Sequence, residues 1–245
     1  MKQIWIVSGL VVAALGTSAL IVGGRALFGD EPAPVTATQE LPWQVSALPG
    51  GGSQVLGLSV SPTLGAPVPG GSTLGDVLQR WGDKVQIAIV AAPTETGNLE
   101  AYVDPMQAGF ISGKAIITAH LPPEVIQGMR ERAAKTEYMG GTTRKATLSS
   151  ADLAQALKAP VTAVSFIPAA NLDEEIILTR FGQPAERVRS NGHLEHFLYP
   201  DKGLDLALDS EGKELLQYVA PVEFERLRQP LLNAAASASA PASAP

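Results

Sequence analysis

The side chains with the most chemical reach sit in one short run, His193, Glu195 and His196. A zinc site would need all three to converge, yet on an extended strand positions 193 and 196 face opposite sides. The spacing also differs from the helical His-Glu-x-x-His arrangement, so the run reads as polar strand residues. His120 is the one other histidine and has no identifiable partner. The chain contains no cysteine, which excludes thiol catalysis, thiolate metal sites, disulfides and a lipid-modified N-terminal cysteine. A serine nucleophile would have no Gly-x-Ser-x-Gly elbow to present it. The clusters Gly50-Gly51-Gly52 and Gly70-Gly71 lack both the Lys-Ser/Thr of a phosphate loop and the spaced glycines of a dinucleotide turn, and read as turn residues. No catalytic, cofactor-binding or metal-binding residue is assigned, and binding without catalysis is the expectation.

Two charge clusters invite a binding role and are met by simpler physics. Asp173-Glu174-Glu175 falls in the first turn of an expected helix, where the positive end of the dipole favours carboxylates. Arg130, Arg132, Lys135, Arg144 and Lys145 form the one basic concentration, which would suit anionic lipid headgroups if it faced a bilayer. Glu131 and Glu137 interleave with it, and it reads as a solvated face. Lys and Arg number 18 against 24 Asp and Glu, for a formal net charge of -6. That balance removes the electrostatic basis of nucleic-acid binding.

The elements that must carry these residues begin after an apolar N terminus. Residues 4–22 hold no charged side chain, near the ~20 residues a helix needs to cross a hydrocarbon core. Lys2 precedes the stretch, Arg25 follows, and the short leader with a long body favours a cytoplasmic N terminus and a translocated body. Thr17-Ser18-Ala19 and Gly24-Arg25-Ala26 are poor cleavage sites, so residues 1–28 are expected as an uncleaved transmembrane signal anchor. Residues 29–42, with Pro32, Pro34 and Pro42, follow as an extended tether, and the Ala/Ser/Pro tail over 233–245 is expected to be disordered.

Between them lies an α+β body of antiparallel β meanders with packed helices. A first unit spans 43–148 and a second 149–232. Strands over 43–48 and 54–60 read as a hairpin around a glycine-rich turn. Thr73 and Asp76 lay out a capping box, followed by a helix that Gly82 stops. Strands are expected over 84–91, 99–103 and 110–121, then a helix opened by Pro122-Pro123-Glu124 and continuing to about 139. A short helix over 150–159 and a strand over 161–167 come next. Asn171 is expected to cap a helix that ends at Gly182 and Pro184. Strands over 185–189, 194–199, 204–208 and 213–219 complete a meander, with a closing helix from Pro221 to about 232.

The two halves echo one another. Val77, Arg80, Trp81 and Gly82 match Ile177, Arg180, Phe181 and Gly182 at a constant offset of 100, and Leu99-Glu100 matches Leu194-Glu195. On the sequence, two related units and a chance match both stay open. Gly71-Ser72-Thr73-Leu74-Gly75-Asp76-Val77 with Arg80-Trp81-Gly82-Asp83, and Phe181-Gly182-Gln183-Pro184 followed by Phe197-Leu198-Tyr199 and Leu204-Asp205-Leu206-Ala207-Leu208-Asp209, resemble the small lipoprotein module of the accessory subunit of the outer-membrane β-barrel assembly machine. The resemblance spans about 50 residues in each half and rests on fold-making positions. It implies a bacterial envelope protein. The family's lipid-modified cysteine is absent, the apolar N terminus takes its place, and residues that contact the machine have no counterpart here.

These readings converge on a single-pass inner-membrane protein whose periplasmic body binds or scaffolds an envelope protein partner, with no cofactor and no nucleic acid. The alternative is a carrier of lipid or a small apolar ligand, with a cavity lined by Ile87, Ile89, Ile116 and Phe166. A hydrolase is the third class and would need polar groups converging around His193, His196 or His120. Oligomeric state is not legible.

Overall fold

A computed structural model describes residues 40–64, 67–139, 142–190 and 192–239. The expected membrane anchor (1–28), tether residues 29–39 and tail residues 240–245 lie outside the described residues. No described helix is long and apolar enough to cross a membrane. Residues 40–42, assigned to the tether from sequence, are docked on the body. Glu40 pairs with Arg80, and the Tyr218 hydroxyl donates to the Pro42 carbonyl at 2.7 Å.

The first β-prone stretch makes three short strands rather than a hairpin of two: β1 (Ser46–Ala47), β2 (Ser53–Val55) and β3 (Leu58–Val60). The run expected as one strand over 54–60 folds back at Leu56 and Gly57, whose φ values of 52° and 72° form a two-residue hairpin turn. The capping box then forms as read. Thr73 accepts from the Asp76 amide, the Asp76 carboxylate accepts from the Thr73 amide, and α1 (Leu74–Trp81) ends at Gly82.

Strands β4 (Val85–Ala91), β5 (Asn98–Ala108) and β6 (Ile111–Ala119) follow as a meander, with a register shift in β5 between Val103 and Met106. Helix α2 (Pro123–Glu131) stops eight residues short of the expected end near 139. Lys135–Tyr138 instead forms β7, paired with β8 (Arg144–Thr147). Cross-strand pairing with Arg144–Thr147 overrides the high helix propensity of Ala133-Ala134-Lys135.

After α3 (Ser150–Ala156) and β9 (Val161–Pro168) comes α4 (Glu174–Phe181). Its cap is Asp173, not Asn171: the Asp173 carboxylate accepts from the Ile176 amide at 2.7 Å, while the Asn171 side-chain oxygen accepts from Lys213. The second meander is β10 (Glu186–Arg189), β11 (Leu194–Tyr199), β12 (Leu204–Asp209) and β13 (Leu215–Val219). The last helix, α5 (Glu225–Ser239), runs seven residues past the expected end, so the first part of the expected disordered tail is helical. Ala-rich sequence suffices for that extension, because alanine has the highest helix propensity.

Ten strands join in one antiparallel sheet in the order β10-β11-β12-β13-β9-β6-β5-β4-β8-β7. Outward from the β13/β9 junction, each side presents the fourth, third, second and first strand of a helix-led run: α4 with β10 to β13, and α1 with β4, β5, β6 and β9. The segment α2-β7-β8-α3 is inserted between the third and fourth strands on the α1 side.

One face of the sheet carries the main core. Leu99, Ala101, Val103, Ile117, Phe166, Phe197 and Leu206 pack there with Val77 of α1, Ile177 of α4, Met129 of α2 and Leu58 of β3. The other face carries a smaller cluster, in which Phe224, Leu227 and Leu231 cover Ala163, Val188, Leu198 and Val219. With both faces covered, the alternate residues of the central strands are buried on either side, including polar ones.

Candidate functional site

On the α5 face, the β10-β11-β12 meander brings three polar side chains into a chain of hydrogen bonds. His196 stands opposite Val188 on β10 and Ala207 on β12, and Asp205 stands opposite Leu198, one alternation along the same face. The His196 Nδ1 lies 2.9 Å and 3.0 Å from the two carboxylate oxygens of Asp205. The Ser190 hydroxyl, at the end of β10, lies 3.2 Å from Nε2 of the same ring. A carboxylate can only accept at Nδ1, which places a ring proton there; in the neutral imidazole Nε2 then accepts from the Ser190 hydroxyl. His196 and Asp205 are 4% and 1% exposed, and Ser190 is half-buried.

His193, which precedes β11, bonds to a different carboxylate. His193 Nδ1 lies 2.8 Å from Asp209 Oδ1, and this hydrogen bond holds the imidazole above its ordinary pKa. Glu195 is engaged by Arg187 and Arg189. His193 and His196 thus have different carboxylate partners, both on β12. Among the described residues no three His, Cys, Asp or Glu side chains gather to hold a metal. His120 is exposed where β6 ends, away from both.

The sequence reading missed Ser190 and Asp205 as partners of His196. The available signal was parity. With a hairpin centred in the Pro200 to Gly203 turn, His196 and Asp205 fall on one face of adjacent strands, within reach of a direct bond.

At the far end of the sheet lies a polar cleft of about 470 Å³ between the β4-β5 loop, α2 and the β7-β8 hairpin. Thr94, Glu95, Gln127, Glu131, Thr136 and Arg144 contribute to its walls. Arg130 closes one side by donating to the Glu95 and Thr96 carbonyls at 2.7 Å and 2.6 Å. Strand β7 forms the outer rim and is exposed at every residue, and Tyr138 is 70% exposed beside Arg144, whose guanidinium stacks 5.3 Å from the ring centroid. The Met139 amide donates to the Thr143 carbonyl at 2.9 Å. The alternation of an antiparallel ladder then turns the Thr136 and Tyr138 amides to the outer edge. Among the described residues β7 pairs with β8 alone.

The basic concentration is largely spent on internal partners. Arg132 pairs with Asp152, Lys135 with Glu137, and Lys145 with the Gln86 side chain. The acidic run divides between the Asp173 cap and a Glu174 to Arg187 ion pair. The four apolar residues expected to line a ligand cavity do not share one. Ile89 and Phe166 lie in the main core with Ile87 against it, whereas Ile116 alternates with core residues Ala115 and Ile117 and faces the other side.

No protein-family model, curated protein or solved structure matches the chain. Its functional reading therefore rests on the sequence and on the two sites just described.

Proposed function

We propose that the chain is a scaffold of the bacterial envelope, anchored in the inner membrane by residues 1–28, whose periplasmic α+β body binds an extended segment of an envelope protein along β7. The observation that carries the reading is the rim of the polar cleft, a wholly exposed edge strand with two outward amides beside an exposed Tyr138-Arg144 stack. An extended partner strand would pair with those amides and place alternate side chains over the cleft, the mode of recognition that sheet edges support. Lys135 and Glu137 on the same strand discourage indiscriminate edge pairing, which favours a partner of matched charge over self-association. The uncharged stretch over 4–22 and the likeness to the lipoprotein module support the envelope placement. The same reading takes the two helix-led meanders as related units. The residues named for the carrier alternative fall on two faces of the sheet, and of the four Ile89 alone borders the cleft.

The test uses the full-length chain in its native membrane, with a photo-crosslinking side chain at position 138. A discrete crosslinked protein is expected, and Thr136→Pro should abolish it. Proline at an outward-facing amide removes the edge donor without breaking a bond to β8, so the fold should survive. Alkaline extraction should leave the chain in the membrane. Recovery in the soluble cytosol would overturn the placement, and an unchanged crosslink in Thr136→Pro would overturn pairing along β7.

A further inference from the structure

We propose that Ser190 is an activated nucleophile, with His196 as its base and Asp205 as the group that orients the base, and that the substrate class is carboxylic esters with good leaving groups. The site lies at the β10 end of the sheet, opposite the β7 edge, and does not depend on the partner-binding reading. It departs from the expectation, drawn from sequence, of a protein without chemistry.

The argument rests on geometry. A serine hydroxyl is inert until a base takes its proton, and the diagnostic arrangement is a nucleophile bonded to a base that is itself held by a third group. All of those contacts are present: Ser190 Oγ to His196 Nε2 at 3.2 Å, and His196 Nδ1 to Asp205 at 2.9 Å and 3.0 Å. Exposure follows the roles. Asp205 is fully buried, His196 nearly so, and Ser190 is the one member that is partly exposed. A purely structural role explains the trio less well. Its cross-strand neighbours Val188 and Leu198 are apolar, Gln217 opposite Asp205 on β13 is the one polar side chain directly across from the pair, and an apolar pair at 196 and 205 would avoid the cost of desolvating an imidazole and a carboxylate.

The step balances with water as co-substrate. Ser190 Oγ bonds to the ester carbonyl carbon while its proton passes to His196 Nε2, and Asp205 stabilises the imidazolium. The tetrahedral adduct expels the alkoxide, which takes the proton from Nε2 and leaves as the alcohol. Water then loses a proton to Nε2 and attacks the acyl carbon. The Ser190 oxygen departs and recovers that proton, releasing the carboxylic acid. The Ser190 amide donates to the Leu194 carbonyl at 3.2 Å and so does not serve the oxyanion. A missing oxyanion donor costs about 10² to 10³ in rate. That limitation favours aryl and other activated esters over amides.

The test treats the full-length protein with a fluorescent phosphonofluoridate. Ser190 Oγ would bond to phosphorus, fluoride would leave, and the hydroxyl proton would pass to His196. One adduct is expected, mapped to Ser190 by peptide mass spectrometry, with the chain's other serines unlabelled as internal controls. Ser190→Ala should abolish it. Asp205→Asn should slow labelling and p-nitrophenyl acetate hydrolysis by about 10² or more, since the isosteric amide favours the wrong tautomer. Circular dichroism and a cooperative melt establish that each protein is folded. Folded wild-type protein that yields no Ser190 adduct would overturn the proposal. A folded Asp205→Asn variant that labels at the wild-type rate would overturn the orienting role of Asp205.

Discussion

Glu100 offers a direct test of whether the α5 face of the sheet is as dry as its packing implies. It stands on β5 opposite Ala88 and Thr118, is 6% exposed, and its Oε1 has no hydrogen-bond partner among the described residues. Burial alone pushes its carboxyl from 4.5 up to about 8. A raised acid pKa means that, between these two values, the native state keeps a proton the unfolded chain has released. Stability therefore falls as pH rises, by at most about 1.4 kcal/mol per pH unit. The penalty is absent below about pH 4.5, reaches about 3 kcal/mol at pH 7, and levels near 5 kcal/mol above pH 8. Glu100→Gln keeps the shape and removes the titration. Wild type and variant should unfold at similar urea concentrations at pH 5, with the variant more stable by about 5 kcal/mol at pH 9. In thermal melts that gap corresponds to roughly 10 to 20 °C for a body of this size. Parallel stability curves for the two proteins from pH 5 to 9 would refute the reasoning.

The helix cap and the docked N-terminal residues give two further tests. Asp173→Ala should cost about 1 kcal/mol by removing the acceptor for the Ile176 amide, whereas Asn171→Ala should stay within roughly 0.5 kcal/mol; chemical denaturation separates the two. Tyr218→Phe leaves the Pro42 carbonyl without its 2.7 Å donor and should cost about 1 to 2 kcal/mol. Limited proteolysis should then cut more readily at residues 40–45.

Strands and caps were legible where local chemistry decides them. Thr73 with Asp76 spelled the start of α1, and Leu204, Leu206 and Leu208 spelled a strand. Alternation by itself would put Asp205 in solvent. An alternating strand reads as apolar-in and polar-out, but α5 closes over the second face and buries the carboxylate against His196. The catalytic candidate was invisible for that reason: its three members lie on two hairpins, and strand pairing rather than sequence motif brings them together. The failure at Lys135–Tyr138 has the same origin. Nothing in Lys-Thr-Glu-Tyr demands a strand until Arg144–Thr147 lies beside it.

The sheet order also accounts for why the two ends of the molecule offer different opportunities. On the reading that the two helix-led runs are related units, they meet through their fourth strands, β9 and β13, and their first strands, β4 and β10, should be equivalent outer edges. They are not, because the β7-β8 hairpin within the inserted segment lies beside β4 and replaces its edge with that of β7. On the other side β10 remains the outermost strand, and Ser190 directly follows its last residue, where the hydroxyl reaches the buried His196. An insertion at one end thus supplies a polar cleft and a pairing edge, while the uncovered unit keeps the short hairpin that brings serine, histidine and aspartate together. Removal of the inserted hairpin would be expected to abolish partner capture and to leave labelling of Ser190 intact, because five strands of continuous sheet, β13, β9, β6, β5 and β4, separate the hairpin from the meander that carries the trio.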